Sequence, residues 1–225
     1  MRVSISYPVV PVGDGDGLPI SRVHKIFGFF ENDLPVVDNE VKRILWLQYM
    51  PYFGDQDSPQ LEGVELRCRL LGYDTQETPK PGDVALNVDQ RYWKEGKEFL
   101  ARELDGLRGG KSKGSCKLLI DVYSIDIFQR LLVDIRGLFQ DELHPEPQLL
   151  RFELAERALD SGYAVPTTSH YTNNSLVEKF RAARENRKGG FSEGEESFVH
   201  PLRCRRARYR KELEKTHRRR SRYVE

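Results

Sequence analysis

Apolar and polar positions alternate most cleanly over Val64–Gly72. Val64, Leu66, Cys68 and Leu70 fall on one face, and Glu65, Arg67 and Arg69 on the other, which predicts a half-buried strand. Lys117–Tyr123 and Arg130–Ile135 read as further strands; in the latter Leu131, Val133 and Ile135 form the apolar row. Val9–Ile20 reads as strand, turn and strand. Asp14-Gly15-Asp16-Gly17 supplies turn chemistry there, because glycine accepts positive φ and Asp bonds nearby backbone. Helical spacing appears three times. One helix is expected over Asp89–Leu107, with Tyr92, Phe99, Leu100, Leu104 and Leu107 apolar. A second covers Leu149–Asp160 and stops at Gly162. A third starts near Ser175, with Glu178 completing a capping box, and ends at Gly189-Gly190. Strands that dominate the first half, with helices after them, indicate an α+β fold, and a small barrel with helices against it is one solution.

Two stretches break this rhythm. Residues 24–63 are too long for a hairpin and read as an insertion, aromatic at Trp46, Tyr49, Tyr52 and Phe53, that forms either a local mini-core or a substrate-gating or partner-docking element. The segment from His200 on is rich in arginine and poor in apolar residues, and reads either as a helix around Arg206–Lys215 or as disordered until bound. The expected organisation is therefore a domain over residues 1–198 followed by a basic tail over residues 199–225.

The overall charge of +1 hides this asymmetry. Residues 203–222 carry +9 and the remainder −8, so a basic tail sits on an acidic body. Such a tail suits an anionic partner, and an acidic body suits a cation site.

Other classes fall away on inspection. No apolar run approaches a membrane span, and the opening MRVSISYPVVPV lacks the apolar core of a secretory leader. Cys68, Cys116 and Cys204 are widely spaced without a CxxC, against a zinc ribbon and in keeping with free thiols in a reducing compartment. The expected location is intracellular, cytoplasmic or nuclear. GGKSKGS (Gly109–Ser115) imitates the end of a P-loop, but Asp105 stands where its first glycine belongs. HExxH is absent.

The candidate chemistry lies in three segments, each at a strand edge: DGDG (Asp14–Gly17), RLLGYDTQE (Arg69–Glu77) and DIFQR (Asp126–Arg130). Asp16 and Asp74 are a natural oxygen-ligand pair for a hard cation, and Thr75 adds a backbone carbonyl. Glu77 lies three residues past Asp74, within reach of a water. Arg69 and Arg130 carry planar, permanently charged forks suited to phosphate. Hydrolysis of a phosphodiester needs a nucleophilic water and positive charge on the non-bridging oxygens, and this set offers both.

These segments, with LAERALDSGYA (Leu154–Ala164) and NNSLVEKFRAARENRKGGF (Asn173–Phe191), resemble in order and spacing the staphylococcal-nuclease (thermonuclease-like) family over about residues 5–195. The long insertion is similar to that of its calcium-dependent plant-type branch. The resemblance implies an OB-type five-stranded barrel with three helices, and a calcium-dependent nuclease acting on DNA and RNA with a preference for single strands. It implies that Asp16, Asp74 and Thr75 bind Ca2+ and that Asp14 shapes the metal turn. Glu77 would position or deprotonate the attacking water, and Arg69 and Arg130 would bind the scissile phosphate. Gly17, Gln76, Ile127, Phe128 and Gln129 depart from the family's usual Thr, Pro, Lys, Tyr and Gly, and Thr168 and His170 stand where its tyrosines flank the base. Phe128, His170 and Tyr171 are the substrate-contact candidates; Phe128 can stack on a base but cannot donate a hydrogen bond to phosphate. The alternative is a catalytically weak or inactive module of the same fold, binding nucleic acid or protein as a scaffold in a larger complex.

Overall fold

The computed structural model of the chain describes residues 2–6, 15–28, 65–113, 116–126, 128, 130–139, 153–167 and 173–221. Its strands are β1 (Arg2–Ser6), β2 (Gly17–Gly28), β3 (Glu65–Leu70), β4 (Tyr73–Thr75), β5 (Lys117–Ile125), β6 (Leu131–Phe139) and β7 (Ala164–Pro166). Its helices are α1 (Trp93–Arg108), α2 (Glu153–Asp160), α3 (Asn174–Glu185) and α4 (Pro201–Ser221). The architecture is mixed α+β.

Five strands pair in the order β1-β2-β3-β6-β5, and β5 pairs back onto β1, so the hydrogen-bonded sheet closes on itself. All these pairings are antiparallel except β3 with β6, which run parallel. The alternating rows point inward as their period requires: Cys68 and Leu70 from β3, Leu118, Ile120 and Val122 from β5, and Leu131, Val133 and Ile135 from β6 are buried in one cluster with Ile5 and Leu18. Helix α1 adds Phe99, Leu100 and Leu104 to it, and α2 adds Leu154, Ala155, Ala158 and Leu159. The short strands β4 and β7 form a separate antiparallel pair, with Asp74 opposite Val165.

Several boundaries move from the sequence reading. Strand β2 runs through to Gly28, so the first residues assigned to the 24–63 insertion are strand, and residues 29–64 lie outside the described set. Helix α1 begins at Trp93 rather than Asp89; Arg91 and Tyr92 before it form a turn. Helix α3 is capped by Asn173, whose side chain accepts from Leu176 N at 3.0 Å, so the capping box at Ser175 and Glu178 is not formed. Ser175 Oγ donates instead to Glu156 Oε1 of α2 at 2.7 Å. The helix stops at Glu185, and Gly189–Phe191 is a separate 3-10 turn. Gly162 ends the α2 turn at φ 77°, where a Cβ would lie 2.3 Å from the Lys188 carbonyl oxygen, so the glycine serves both conformation and close approach.

The basic segment is one helix, α4, longer than the Arg206–Lys215 stretch expected. Its lead-in is packed: Phe198 joins Phe191 and Val165 in a second small core, with the Phe191 and Phe198 rings 4.9 Å apart. Pro201 and Cys204 are buried; from Arg205 to Thr216 no residue of α4 is. Among the described residues no helix is long and apolar enough to cross a membrane.

Candidate functional site

Strand register delivers the first acid. Gly17 stands opposite Arg69 across β2 and β3, and Leu70 N donates to the Asp16 carbonyl at 2.8 Å. Asp16 is thereby held at the end of β3. The turn is gripped from the other side by β4, where Tyr73 and Thr75 share a face because strand side chains alternate. Gly15 N donates to Thr75 Oγ1 at 3.0 Å, and Tyr73 Oη donates to the Gly15 carbonyl at 3.0 Å. A Cβ on Gly15 would come within 2.6 Å of the Gly96 carbonyl oxygen and 2.7 Å of Thr75 Cγ2, so only glycine lets the turn sit this close to α1.

Arg69 joins the two expected cation ligands. Its Nη2 lies 2.9 Å from Asp16 Oδ2 and 2.9 Å from Asp74 Oδ1, and both carboxylates are buried. Burial pulls the guanidinium toward a lower pKa, but Asp16 and Asp74 outweigh it, and the net direction is upward. Asp126 adds to that upward pull and also holds the second arginine. Arg130 Nε donates to Asp126 Oδ2 at 2.8 Å, while the backbone N–H groups of Phe128 and Arg130 both reach Asp126 Oδ1 at 2.9 Å. Asp126 therefore fixes the turn and the Arg130 side chain. Phe128 is 64% exposed, with the Arg130 guanidinium 5.4 Å from its ring centre.

Two arginines that the sequence did not single out reach this cluster from α4. Arg205 binds both oxygens of Asp74, through Nη2 to Oδ2 and through Nη1 to Oδ1, and its Nη1 also donates to Glu77 Oε1 at 2.9 Å. Arg208 donates to Glu77 Oε2 at 2.6 Å and grips Asp83 with Nε at 3.0 Å and Nη2 at 2.5 Å. That hydrogen-bonded fork raises the Arg208 guanidinium and lowers the Asp83 carboxyl from their ordinary values. Arg205 is also raised: burial opposes the shift, and Asp74 and Glu77 prevail.

The start of α4 is tied to the same loop. Gln76 and Gln90 both donate to the Val199 carbonyl, at 2.9 and 3.2 Å. Gln76 Oε1 accepts from Tyr92 N at 2.7 Å, and Gln90 Oε1 accepts from Glu77 N at 3.2 Å. Gln76, fully buried, is thus a structural bridge to the C-terminal segment. His200 Nδ1 accepts from Leu202 N at 3.1 Å. A cavity of about 250 Å³ opens between these parts, walled by Arg69, Asp74, Asp126, Thr167, His200 and Arg205.

The residues fit a hard cation in donor chemistry. Two carboxylate oxygens from segments far apart in sequence converge on a single point, now held by Arg69 Nη2. Among the described residues no group of three or more His, Cys, Asp or Glu is arranged to hold a metal ion, so a cation there would rest on Asp16, Asp74 and carbonyl or water oxygens. Thr75 is buried beside Asp74, and its hydroxyl is engaged by Gly15. Asp14, Ile127, Gln129, Thr168, His170 and Tyr171 lie outside the described residues.

No protein-family model matches the chain, and no curated protein matches it.

Proposed function

We propose that this chain is a nuclease of the staphylococcal-nuclease type on an OB-type barrel, cleaving phosphodiester bonds of DNA or RNA, with single strands preferred and calcium as cofactor. The observation that carries the reading is the meeting of three motif segments at one place: Asp16 and Asp74 on Arg69, and Asp126, paired with Arg130, on the same cavity wall as Arg69 and Asp74. The closed order of five strands and the helices packed on it support the fold assignment.

In this reading Asp16, Asp74 and the Thr75 carbonyl hold the cation, which supplies positive charge to the phosphate and makes a nearby water more acidic. Arg69 and Arg130 take the non-bridging oxygens, each with a fork that stays charged throughout. Asp126 sets the position of Arg130 by accepting from both its backbone and its side chain. Glu77 accepts a proton from the attacking water. Phe128, largely exposed beside Arg130, offers a stacking face for an unpaired base.

The test is digestion of single-stranded DNA and RNA with saturating calcium and then with chelator, comparing the wild type with Glu77→Gln and Arg69→Ala. Calcium-dependent cleavage that falls about 10²–10³-fold in either variant is expected, the usual cost of losing one transition-state contact. Cleavage that is indifferent to both substitutions would remove the site. One observation favours the second reading, a binding module without turnover: Glu77 and Asp74 are already taken by Arg205 and Arg208. Retained nucleic-acid binding in chelator, with no cleavage under any condition, would select it.

A further inference from the structure

Both oxygens of Asp74 are bound to arginine, and both oxygens of Glu77 as well. Of the three guanidiniums involved, Arg69 belongs to β3 in the barrel wall. Arg205 and Arg208 belong to a helix with a different kind of attachment. Helix α4 is anchored at its start, by Val199, Phe198, Pro201 and Cys204. From Arg205 to Thr216 it buries no residue; Tyr209 is 66% and Leu213 41% exposed. What holds that length to β4 and the loop after it is a ladder of ion pairs and hydrogen bonds, from Arg205 to Asp74 and Glu77, and from Arg208 to Glu77, Asp83 and the Thr78 carbonyl. An element fastened by charge alone is released by whatever competes for the charge, because it has little apolar burial to lose.

We propose that the carboxylates of the site have two alternative occupants, the arginines of α4 and a divalent cation, so that α4 is a plug which the cation displaces. The proposal rests on the cation reading above. Asp74 can offer an oxygen to a cation only if a guanidinium yields one. Arg69 is fixed by its strand, and Arg205 sits on the element free to swing about its anchored start. Withdrawing α4 takes two positive charges, Arg205 and Arg208, from the acids, and a doubly charged ion returns the same charge at Asp74 and Glu77, while Asp83 keeps the Lys80 N–H at 2.8 Å. Gln76 fits this arrangement: it ties the acid-bearing segment to the base of the plug and leaves Arg205 the only link from Asp74 to α4 among the described contacts.

The experiment uses the full chain and reads binding, not turnover. Calcium is titrated calorimetrically into the wild type, Arg205→Gln and Asp74→Asn, and trypsin cleavage of α4 is followed with and without calcium. If the docked state holds about 99% of the population, removing it tightens the apparent calcium dissociation constant by up to about 100-fold in Arg205→Gln, and a gain of at least about tenfold supports the plug. Calcium should also speed tryptic cutting within α4 of the wild type and leave that of Asp74→Asn unchanged. Arg205→Lys, which keeps the charge without the fork, guards against a folding defect and should bind calcium with intermediate affinity. Equal calcium affinities in wild type and Arg205→Gln, with α4 equally protected throughout, overturn the exchange and leave the cation site standing. No calcium binding by any variant overturns both.

Discussion

Thr75→Val tests how the Asp16 turn is held. The substitution keeps the branched shape and deletes one atom's function, the Oγ1 that accepts from Gly15 N at 3.0 Å. Thr75 is buried at 2% exposure and Gly15 is buried too, so water does not readily take the lost place. A buried donor stripped of its acceptor costs about 1–3 kcal/mol. For a chain of this size, each kcal/mol moves the melting temperature by about 2–4 °C, so a fall of roughly 2–12 °C is expected. Urea unfolding followed by tryptophan fluorescence gives the free energy, and an unchanged denaturant slope shows that both states are otherwise intact. Tyr73→Phe removes the companion bond to the Gly15 carbonyl, and the double variant should depart from additivity because both bonds fix one residue. A loss below about 0.3 kcal/mol in Thr75→Val would refute the argument, since it would mean the turn is held without this clamp.

Three further outcomes follow from named contacts. The Arg136–Asp121 pair, 2.6 Å apart with side chains 3% and 0% exposed, should cost about 3–5 kcal/mol when broken by Arg136→Met, and Arg136→Met with Asp121→Leu should recover much of it in urea unfolding. Asp83 is held below its ordinary pKa by the Arg208 fork, so its contribution is present above about pH 4, the unfolded value, and is lost as pH falls through the lowered folded one. The stability deficit of Arg208→Gln should therefore shrink below about pH 4, and a pH-independent deficit would disprove that origin. Phe128→Ala should leave stability within about 0.5 kcal/mol, because the ring is 64% exposed, while weakening single-stranded DNA binding by about 1–3 kcal/mol in a fluorescence titration.

What the sequence made legible follows from period and local chemistry. The alternating row Cys68, Leu70, Leu131, Val133 and Ile135 is the buried row, and Asp16, Arg69 and Asp74 meet as their motif order suggested. Strands β4 and β7 have three residues each, too few to show a period of two. Asn173 outcompeted Ser175 as the cap because its side chain reaches Leu176 N. Helix α4 is polar on nearly every side, so no apolar stripe marks its length or its docking face. The bonds from Arg205 and Arg208 to Asp74, Glu77 and Asp83 span well over a hundred residues, and charge alone gives no register for such pairs. Gln76 and Gln90 are ordinary polar residues in sequence, and their shared hold on Val199 exists only in three dimensions.

The way the sheet closes bears on how the chain folds. Arg2 at the start of β1 is opposite Asp121 of β5, and Cys68 pairs in parallel with Leu131, so the last two seams join residues far apart along the chain. Such contacts repay their loop-closure entropy late and slow the search, which puts folding toward the millisecond-to-second end of the range for single domains. Helices α1, α2 and α3 and the β5–β6 hairpin can form before that. Asp16, Arg69 and Asp74 come together with the β2–β3 pairing, whereas Asp126 and Arg130, on the β5–β6 hairpin, join them only when β3 pairs with β6. A chain with that seam open therefore holds the site in two halves.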